Sequence, residues 1–363
     1  MKIIIAAGGS GGHIFPAIAL ARELEDMGGM NIVFAASKRK LDRDILSHTS
    51  YRKVFFSVNP MPYGLGLRVI PFIFKVVRDC VVSLSVLIKE RPKVIVGFGG
   101  YTSGMIVLIG ALLGVKTLIH EQNYCLGRAN KILDRLVSLV AVSFDETRSL
   151  VKNKNVVVTG NPLRRIVVSA SKHELPDKFG LDDDRFTVLV VGGSQGAHGL
   201  NKVVTEALIS LDERIKNELQ ILHIAGPGDF EYVSKVYAEN NVMSKVFSFI
   251  ENIHDAYSIC DVAVSRSGAA CIFELALYGR PMLLVPYPSK KNSQRLNAKY
   301  FSDRGAAVIK DEEMLDSREV KDIIVKLLKD KIMREHMSKA ALNLARPNAA
   351  EDLAKQVKRI ASD

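Results

Sequence analysis

The stretch Lys2–Gly12, KIIIAAGGSGG, joins a short apolar run to a turn made almost entirely of glycine. The same kind of stretch returns far along the chain at Phe186–Gly196, FTVLVVGGSQG. In each case the pattern predicts a buried strand, a tight Gly-Gly-Ser turn and then a helix. The repetition indicates an internal duplication, and we predict two similar α/β domains.

Short β-branched runs alternate with helical patterns along both halves of the chain, which is typical of parallel sheets covered by helices on both faces. The predicted strands of the first half are Lys2–Ala7, Asn31–Ala35, Lys93–Gly97, Thr117–His120, Leu139–Val142 and Val156–Thr159. Those of the second half are Phe186–Val191, Gln220–Ala225, Val246–Phe249, Asp261–Ser265, Met282–Val285 and Ala307–Ile309. The fold class is therefore predicted to be α/β, with two Rossmann-like doubly wound domains facing across a cleft.

The join between the two domains is predicted near Gly160–Pro162, so that the domains comprise residues 1–162 and 163–345. A last helix within residues 346–363 is predicted to pack back on the first domain. Ligands of doubly wound sheets bind beyond the carboxyl ends of the strands. We therefore expect the chemistry in the cleft between the domains.

The composition is that of a globular protein, since 48% of the 363 residues are apolar and 25% are charged. The four cysteines form no C-x-x-C pair, which argues against a disulfide framework and fits a reducing cytosol. Met1–Ala6 is expected to form the first strand rather than a targeting segment. A net charge of +11 predicts an anionic partner such as a phosphorylated ligand or an acidic membrane surface. Nucleic acid is not expected as a partner, because Trp is absent and the sequence has neither an aromatic-and-basic stacking stretch nor a helix-turn-helix or zinc-finger signature.

Glycine turns that lead into helices predict phosphate binding, because free backbone N–H groups and the helix dipole favour anions there. Neither turn fits G-x-G-x-x-G, and the second strand runs into Ser37 and Lys38 without an acidic residue, so no nicotinamide cofactor is expected. The P-loop pattern is missing as well. Asp182–Asp184 lies in a charged turn that we expect to be solvated. We therefore predict neither a metal ion nor a cofactor at the site.

Three more segments at predicted strand ends are richer in glycine or polar residues than ordinary loops. They are Gly97–Gly104 (GFGGYTSG), His120–Asn123 (HEQN) and Ser265–Glu274 (SRSGAACIFE). Backbone amides at the start of the last segment are placed to cap a diphosphate, and Glu274 is placed to accept hydrogen bonds from ribose hydroxyls. The simpler alternatives are a structural histidine at His120 and a helix-dipole partner at Glu274.

Together these segments closely resemble the MurG family, the transferases that add N-acetylglucosamine to undecaprenyl-diphosphate-linked N-acetylmuramoyl-pentapeptide. The matching segments follow the family's order over nearly the whole chain: Gly8–Pro16 (GGSGGHIFP), Gly97–Gly104, His120–Asn123, Thr159–Pro162 (TGNP) with Arg164, Gly192–Ala197 (GGSQGA), Ser265–Glu274, and Gln294 with Asn297 and Ala298. The resemblance implies the two-domain GT-B fold. It also implies inverting transfer from UDP-N-acetylglucosamine to the acceptor's 4-hydroxyl, the step from lipid I to lipid II in peptidoglycan synthesis.

The resemblance further implies roles for the matched residues. Contacts with the donor are implied for Ser10, Gly11, Gly12, Asn123, Arg164, Ser194, the backbone of Ile250, Ala269, Ala270, Cys271, Ile272, Phe273, Glu274 and Gln294. Contacts with the acceptor are expected at Gly9, Gly99, Gly100, Tyr101 and His120. Two residues depart from the family pattern: Cys271 stands where the family usually has Thr, and Ser293 stands where His or Gln is commoner.

Inverting transfer needs a base for the acceptor hydroxyl and positive groups for the departing UDP. We predict that His13, at the start of the first helix, is this base, because an imidazole titrates near neutral pH. The alternative is that His13 binds the acceptor phosphate. Glu121 is the second candidate for the base. Arg164, Ser194 and Arg266 are expected to neutralise the diphosphate.

Residues 60–90 are very apolar, but Arg68, Lys75, Arg78 and Asp79 interrupt the run, so no spanning helix is predicted there. We predict that this part rests on an anionic membrane, with the protein peripheral on the cytoplasmic face of the inner membrane. The predicted contacts are Leu65, Leu67, Arg68, Phe72, Phe74 and Lys75. Val81–Ile88 is expected to pack in the core of the first domain.

The sequence leaves three alternatives open. A glycosyltransferase that acts on another membrane lipid, such as diacylglycerol, would share the fold and the first glycine turn. A sugar-nucleotide epimerase would have a similar architecture but would need no apolar surface patch. A non-catalytic membrane scaffold would keep the nucleotide pocket. The HEQN and GGSQGA segments favour the MurG-type transferase over the enzyme for another membrane lipid, and the apolar stretch disfavours the epimerase.

Overall fold

The computed structural model describes residues 1–56, 69–164, 175–193, 196–289 and 293–362. Within these ranges, the side chains of residues 69–74 and 175–176 are left out of the description. The chain divides into two compact units. Unit 1 comprises Met1–Arg164 and Arg346–Asp363, and unit 2 comprises Arg165–Ala345.

Unit 1 contains a seven-stranded parallel sheet. Its strands are β1 (Lys2–Ala6), β2 (Asn31–Ser37), β3 (Arg52–Phe56), β4 (Val94–Gly97), β5 (Lys116–Glu121), β6 (Leu139–Val142) and β7 (Val156–Val158). Its helices are α1 (Gly11–Asp26), α2 (Lys40–Ser47), α3 (Val69–Glu90), α4 (Gly100–Leu112) and α5 (Arg128–Leu133), with a 3-10 helix at Asp145–Leu150. The strand order is β3-β2-β1-β4-β5-β6-β7.

Unit 2 contains a six-stranded parallel sheet. Its strands are β8 (Phe186–Val191), β9 (Leu219–Ile224), β10 (Ser244–Phe247), β11 (Val262–Ser265), β12 (Met282–Leu284) and β13 (Ala307–Ile309). Its helices are α6 (Leu175–Phe179), α7 (His198–Ile209), α8 (Glu213–Glu218), α9 (Phe230–Glu239), α10 (Ile253–Ile259), α11 (Ala269–Leu277), α12 (Ser293–Ser302), α13 (Ser317–Lys329) and α14 (Lys331–Leu344), with a 3-10 helix at Glu312–Met314. The strand order is β10-β9-β8-β11-β12-β13.

These two sheets confirm the predicted fold class of two doubly wound α/β domains. Every predicted strand is present, although β10 begins two residues before its predicted start. The sequence analysis missed β3, an edge strand that begins with Arg52 and Lys53 and is buried fully only at Phe56. Charged residues are common on edge strands, and here they hide the apolar pattern by which strands are recognised.

The core of unit 1 lies on both faces of its sheet. Ile3 and Ile5 belong to one buried cluster, and Ile4 belongs to the other. Successive side chains of a strand point to opposite faces, so a continuous apolar run is buried on both sides. The last helix, α15 (Ala349–Ser362), adds Leu353 and Val357 to the first of these clusters.

Each sheet has one switch point, a pair of neighbouring strands at which the strand order reverses. From the first strand of the pair the chain builds the sheet toward one edge, and from the second strand it builds the sheet toward the other edge. In unit 1 this point lies between β1 and β4, and in unit 2 it lies between β8 and β11. Ligands of doubly wound sheets bind at the carboxyl ends of the strands that flank this point. All four of these strands are followed by glycine-containing turns, so the fold places those turns where a ligand is expected.

Helix α3 departs from one expectation. Leu87 is buried, and Val82 and Val86 pack against the core of unit 1. Val81 and Ile88, however, are 57% and 62% exposed. The expectation that Val81–Ile88 packs in the core was therefore wrong for one face of the helix, because only every third or fourth residue of a helix faces the same side.

Among the described residues, no helix combines the length and the apolar composition that crossing a membrane requires.

Candidate active site

The glycine turn after β1 holds His13 against its own backbone. His13 Nδ1 lies 3.1 Å from the Gly8 carbonyl oxygen and 3.4 Å from Ser10 Oγ. A hydrogen on Nδ1 can be donated to the Gly8 carbonyl, and the tautomer that makes this bond leaves Nε2 with a lone pair. The imidazole is therefore arranged so that Nε2 is the atom that can take up a proton.

The glycine turn after β4 packs against the same imidazole. Gly99 and Gly100 have positive φ angles of 86° and 78°. A Cβ atom would lie 3.5 Å from His13 Nε2 at Gly99, and 2.9 Å from the Gly8 carbonyl oxygen at Gly100. The two turns thus touch through backbone atoms, and glycine keeps open the space beside Nε2. Gly9, Ser10, Gly99 and Gly100, which the sequence analysis selected separately, lie together at this point.

A buried carboxylate that the sequence analysis missed supports the first turn. The Gly9 amide donates to Asp42, with distances of 3.1 and 3.0 Å to the two carboxylate oxygens. The Ser37 amide donates to the same carboxylate at 3.1 Å, and Asp42 is 0% exposed. Asp42 lies between several charged residues in the first turn of α2, so the sequence alone did not distinguish it from a solvated side chain.

His120 belongs to the structure beneath the site. It is 0% exposed, and its Nε2 lies 3.0 Å from the Gly160 carbonyl oxygen. Its Nδ1 lies 3.1 Å from Gln122 Nε2, an amide group that can only donate. Both ring nitrogens are thus used within the protein. The ring therefore holds the end of β5, and its predicted contact with the acceptor stays a prediction.

Glu121, the second candidate for the base, is also used within the protein. It is 2% exposed. Its Oε1 accepts from the Asn123 amide at 3.1 Å, and its Oε2 accepts from the Gly127 amide and from Asn130 Nδ2, both at 2.8 Å. A carboxylate with this many donors orders the loop that contains Asn123. Its role as the second candidate for the base stays a prediction.

The remaining predicted residues of unit 1 lie around these turns. Tyr101 is half-buried in the first turn of α4, and burial raises the pKa of its hydroxyl. The Arg164 guanidinium lies 4.7 Å from the centre of the Phe15 ring in α1. Gly11 starts the same helix, and a Cβ there would lie 3.0 Å from Phe15. Arg164 is thus held beside the first turns of α1, the helix that also contains Gly12.

In unit 2, the turn after β8 requires glycine at two points. Gly193 and Gly196 have positive φ angles of 93° and 78°. A Cβ on Gly196 would lie 2.6 Å from the Ala225 carbonyl oxygen, too close for any side chain. Ser194, the predicted diphosphate contact in this turn, lies outside the described residues.

The turn after β11 leads into α11, whose first residue is Ala269. Ala270 and Cys271 are half-buried at the start of this helix. Ile272 and Phe273 are 0% and 2% exposed, and the Ile272 amide is already bonded to the Gly268 carbonyl at 3.2 Å. The side chains of Ile272 and Phe273 thus belong to the core beneath the helix, and their predicted donor contacts stay predictions.

The side chains of Cys271 and Glu274, both on α11, lie beside the hydroxyl of Tyr257 on α10. Tyr257 donates from its hydroxyl to Glu274 Oε2 at 3.2 Å and lies 3.7 Å from Cys271 Sγ. Burial raises the pKa of Cys271 to about 11, so the thiol is protonated at neutral pH. Cys271 is thus a small neutral side chain rather than a nucleophile.

Gln294 lies in the first turn of α12, and Ile250 lies in the loop that follows β10. Gln294 Oε1 accepts from the Tyr287 amide at 2.9 Å, and the Gln294 carbonyl accepts from Ser267 Oγ at 2.9 Å. The second bond ties α12 to the turn after β11. Ile250 is half-buried and follows β10 by three residues.

Arg266 has several hydrogen-bond partners within unit 2. Its guanidinium pairs with Glu312 at 2.7 Å and donates to the Val285 and Pro286 carbonyls at 3.3 and 3.4 Å. The side chain is buried and its charge is already balanced. The expectation that Arg266 helps to neutralise the diphosphate stays a prediction. Among the described residues, no group of three or more His, Cys, Asp and Glu side chains is placed to hold a metal ion.

Comparisons with known proteins extend over both units. The models of the glycosyltransferase family 28 N-terminal and C-terminal domains match residues 3–142 and 187–357. The "UDP-N-acetylglucosamine--N-acetylmuramyl-(pentapeptide) pyrophosphoryl-undecaprenol N-acetylglucosamine transferase" of Myxococcus xanthus is 35% identical over 359 residues, which cover 98% of this chain and 91% of that protein. The protein of the same name from Desulforamulus reducens is 33% identical, with 99% of each chain covered.

The chain belongs to the MurG family of glycosyltransferases. A crystal structure of Acinetobacter baumannii MurG has a TM-score of 0.80 to this chain at 27% identity, with 99% of this chain and 100% of that chain covered. The family resemblance inferred from the glycine turns and from HEQN is thereby confirmed.

This MurG-family chain should keep His120 neutral well below neutral pH. Burial lowers the pKa of His120 from 6.5 to about 4, against a smaller opposing effect of its bond to Gly160. The unfolded chain takes up a proton near 6.5 and the folded chain only near 4. As the pH falls through this window, the unfolded state binds more protons and the free energy of unfolding decreases.

Nuclear magnetic resonance of the His120 imidazole tests this expectation. Its resonances should keep the neutral-form shift from neutral pH down to the folded-state pKa of about 4. A titration with a midpoint near 6.5 would instead show that the ring is accessible to solvent.

Proposed function

We propose that this chain transfers N-acetylglucosamine from UDP-N-acetylglucosamine to undecaprenyl-diphosphate-linked N-acetylmuramoyl-pentapeptide, with inversion at the sugar carbon. The observation that carries this proposal is the match of 35% identity over 98% of the chain to a transferase named for this reaction. The glycine turns at both switch points support it, because each substrate contains a diphosphate.

We assign the donor to unit 2 and the acceptor to unit 1. In unit 2 the start of α11 offers backbone N–H groups to a diphosphate, and Glu274 is held one turn further along the helix by Tyr257. In unit 1 a Cβ on Gly9, in the turn before His13, would meet no atom within 4 Å, so the backbone of this turn is open to an acceptor group. The donor contacts predicted for Ser10, Gly11, Gly12, Asn123, Ile250 and Gln294 stay predictions.

In the proposed reaction, the acceptor hydroxyl oxygen attacks the sugar C1 while the bond from C1 to the UDP oxygen breaks. The electron pair of that bond goes to UDP, and the hydroxyl proton goes to His13 Nε2. The Gly8 carbonyl keeps the Nδ1 proton in place, since the two atoms are 3.1 Å apart. The neutral ring can therefore accept a proton and become an imidazolium. Arg164 and Ser194 are proposed to neutralise the departing diphosphate.

Release of UDP with different acceptors tests the proposed function. The purified chain should release UDP from UDP-N-acetylglucosamine in the presence of the undecaprenyl-diphosphate-linked acceptor and not in the presence of diacylglycerol. Turnover with diacylglycerol alone would indicate the alternative lipid acceptor. Binding of UDP without turnover on any acceptor would indicate a scaffold.

Substitution of His13 tests the base. His13→Gln should lower kcat by about 100- to 10,000-fold, the usual contribution of a general base, with little change in the KM of the donor. His48→Gln, an exposed histidine of the same unit, is the matched control and should retain full activity. If His13→Gln retains near-normal kcat, His13 is not the base.

We also propose that the exposed face of α3 contacts an anionic membrane. Val77, Val81, Leu84 and Ile88 are 55%, 57%, 39% and 62% exposed. They follow one another at intervals of four, three and four residues, so they form a single apolar stripe on the helix. Arg78 and Lys89 each follow a stripe residue directly and are exposed. They therefore lie along one flank of the stripe.

An apolar stripe flanked by cations is typical of helices that lie in the interface of an anionic bilayer. Such contact would place the protein on the cytoplasmic face of the plasma membrane as a peripheral protein. Phe72 and Phe74 belong to α3, but their side chains lie outside the described set. Leu65, Leu67 and Arg68 lie outside the described residues, and Lys75 is exposed.

Vesicle binding tests the membrane contact with a matched pair of variants. Ile88→Asp should weaken binding to phosphatidylglycerol vesicles at least several-fold, since it removes apolar area and adds a repelled charge. Ile332→Asp changes an isoleucine of unit 2 that is 68% exposed, and it should bind like the unchanged protein. Equal loss in both variants, or no binding of the unchanged protein at low salt, would contradict the proposal.

A further inference from the structure

A chain of hydrogen-bonded polar side chains in unit 2 ends at an exposed histidine. His198 is the first residue of α7, directly after the glycine turn that follows β8. Its side chain is 77% exposed, and its Nδ1 lies 2.8 Å from Asp229 Oδ1. The other oxygen of this carboxylate accepts from Asn201 Nδ2 at 2.8 Å. The Asp229 carboxylate therefore fixes one side of the His198 ring, and the Asn201 amide fixes the carboxylate.

This series of hydrogen-bonded side chains continues through the core of unit 2. Asn201 Nδ2 also donates to the Ala225 carbonyl at 2.7 Å, and Asn201 Oδ1 lies 3.2 Å from His223 Nε2. His223 Nδ1 lies 3.0 Å from the Tyr237 hydroxyl. The side chains of Asn201, His223 and Tyr237 are all 0% exposed. These bonds fix the orientation of the Asn201 amide, and through it the position of Asp229.

Two groups of this series, His223 and Asp229, have shifted pKa values. Burial lowers the pKa of His223 to about 3, so this ring is neutral. Burial alone would raise the pKa of Asp229, but hydrogen bonds from His198 and Asn201 outweigh it, and the pKa of Asp229 is lowered. An ionised Asp229 accepts the proton on His198 Nδ1. The ring nitrogen of His198 that remains for a ligand is therefore Nε2.

His198 stands at the ligand-binding edge of the unit 2 sheet. The Glu312 carboxylate occupies the place that a side chain at Gly199 would take. Glu312 in turn pairs with Arg266, in the turn that leads into α11. These contacts connect the first turn of α7 with the start of α11 across the switch point. Arg266 and Glu312 neutralise each other, and His198 is a further group at this edge that can add positive charge.

We propose that His198 contacts the diphosphate of the nucleotide donor, an inference that rests on the proposed function. Nε2–H would donate to a phosphate oxygen while Nδ1–H donates to Asp229, so that the doubly protonated ring lies between two anions. When the bond from the sugar C1 to the UDP oxygen breaks, the electron pair passes to that oxygen. The imidazolium would stabilise the charge that develops on the diphosphate.

Calorimetric titration of the full chain with UDP and with uridine tests this contact. His198→Gln removes the charge and should weaken UDP binding about tenfold, as expected for one charge-assisted hydrogen bond at an exposed site. Uridine binding should not change. His198→Arg keeps a cation and should restore most of the UDP affinity. His336→Gln changes an exposed histidine on α14 and should bind both ligands like the unchanged protein.

Two results would overturn the inference while leaving the proposed function intact. One is UDP binding by His198→Gln within about twofold of the unchanged protein. The other is an equal loss of UDP and uridine binding, which would mean that His198 only supports the fold. If the unchanged protein binds no UDP, the proposed function itself fails. Because the His198 side chain is 77% exposed, we expect the variants to fold, and circular dichroism would verify this.

Discussion

The close approach of backbone atoms at the switch point of each sheet is the constraint on which the site depends. In unit 1 the turn after β4 approaches the turn after β1 so closely that a Cβ on Gly100 would lie 2.9 Å from the Gly8 carbonyl oxygen. In unit 2 a Cβ on Gly196 would lie 2.6 Å from the Ala225 carbonyl oxygen. Glycine at these points lets the backbone fold tightly and present N–H groups to a ligand. Almost any side chain there would close the space.

Buried polar residues lie beneath the turns and support them. Asp42, His120 and Glu121 are all buried, and each holds backbone amides, carbonyls or side-chain amides in place. Burying such groups is costly unless every polar atom has a partner. Their arrangement therefore fixes the turns and loops at the carboxyl ends of the strands. The same principle applies to Asn201 and His223 beneath His198, where a buried chain orients one exposed ring.

The sequence was sufficient to predict the doubly wound fold, the switch-point turns and the family. A buried parallel strand is a continuous apolar run, and a glycine turn is a conspicuous interruption after it. It was not sufficient to separate residues that contact a ligand from those that support them. Glu121 and His120 are next to each other in a polar segment at a strand end, and only their hydrogen bonds show that both are used internally. Asp42 and His198 were missed because a charged residue near a helix start is commonly solvated.

The central claim is that the turns flanking the unit 2 switch point bind the donor's diphosphate. Hydrogen–deuterium exchange with and without UDP tests it most directly, because bound phosphate protects the amides that it contacts. We expect amide exchange in Gly192–Ala197 and Ser265–Cys271 to become slower when UDP is added. Exchange in the first turn of α13, Ser317–Val320, should stay unchanged. Protection that is absent from both turns, or that appears at the start of α13 instead, would contradict the account.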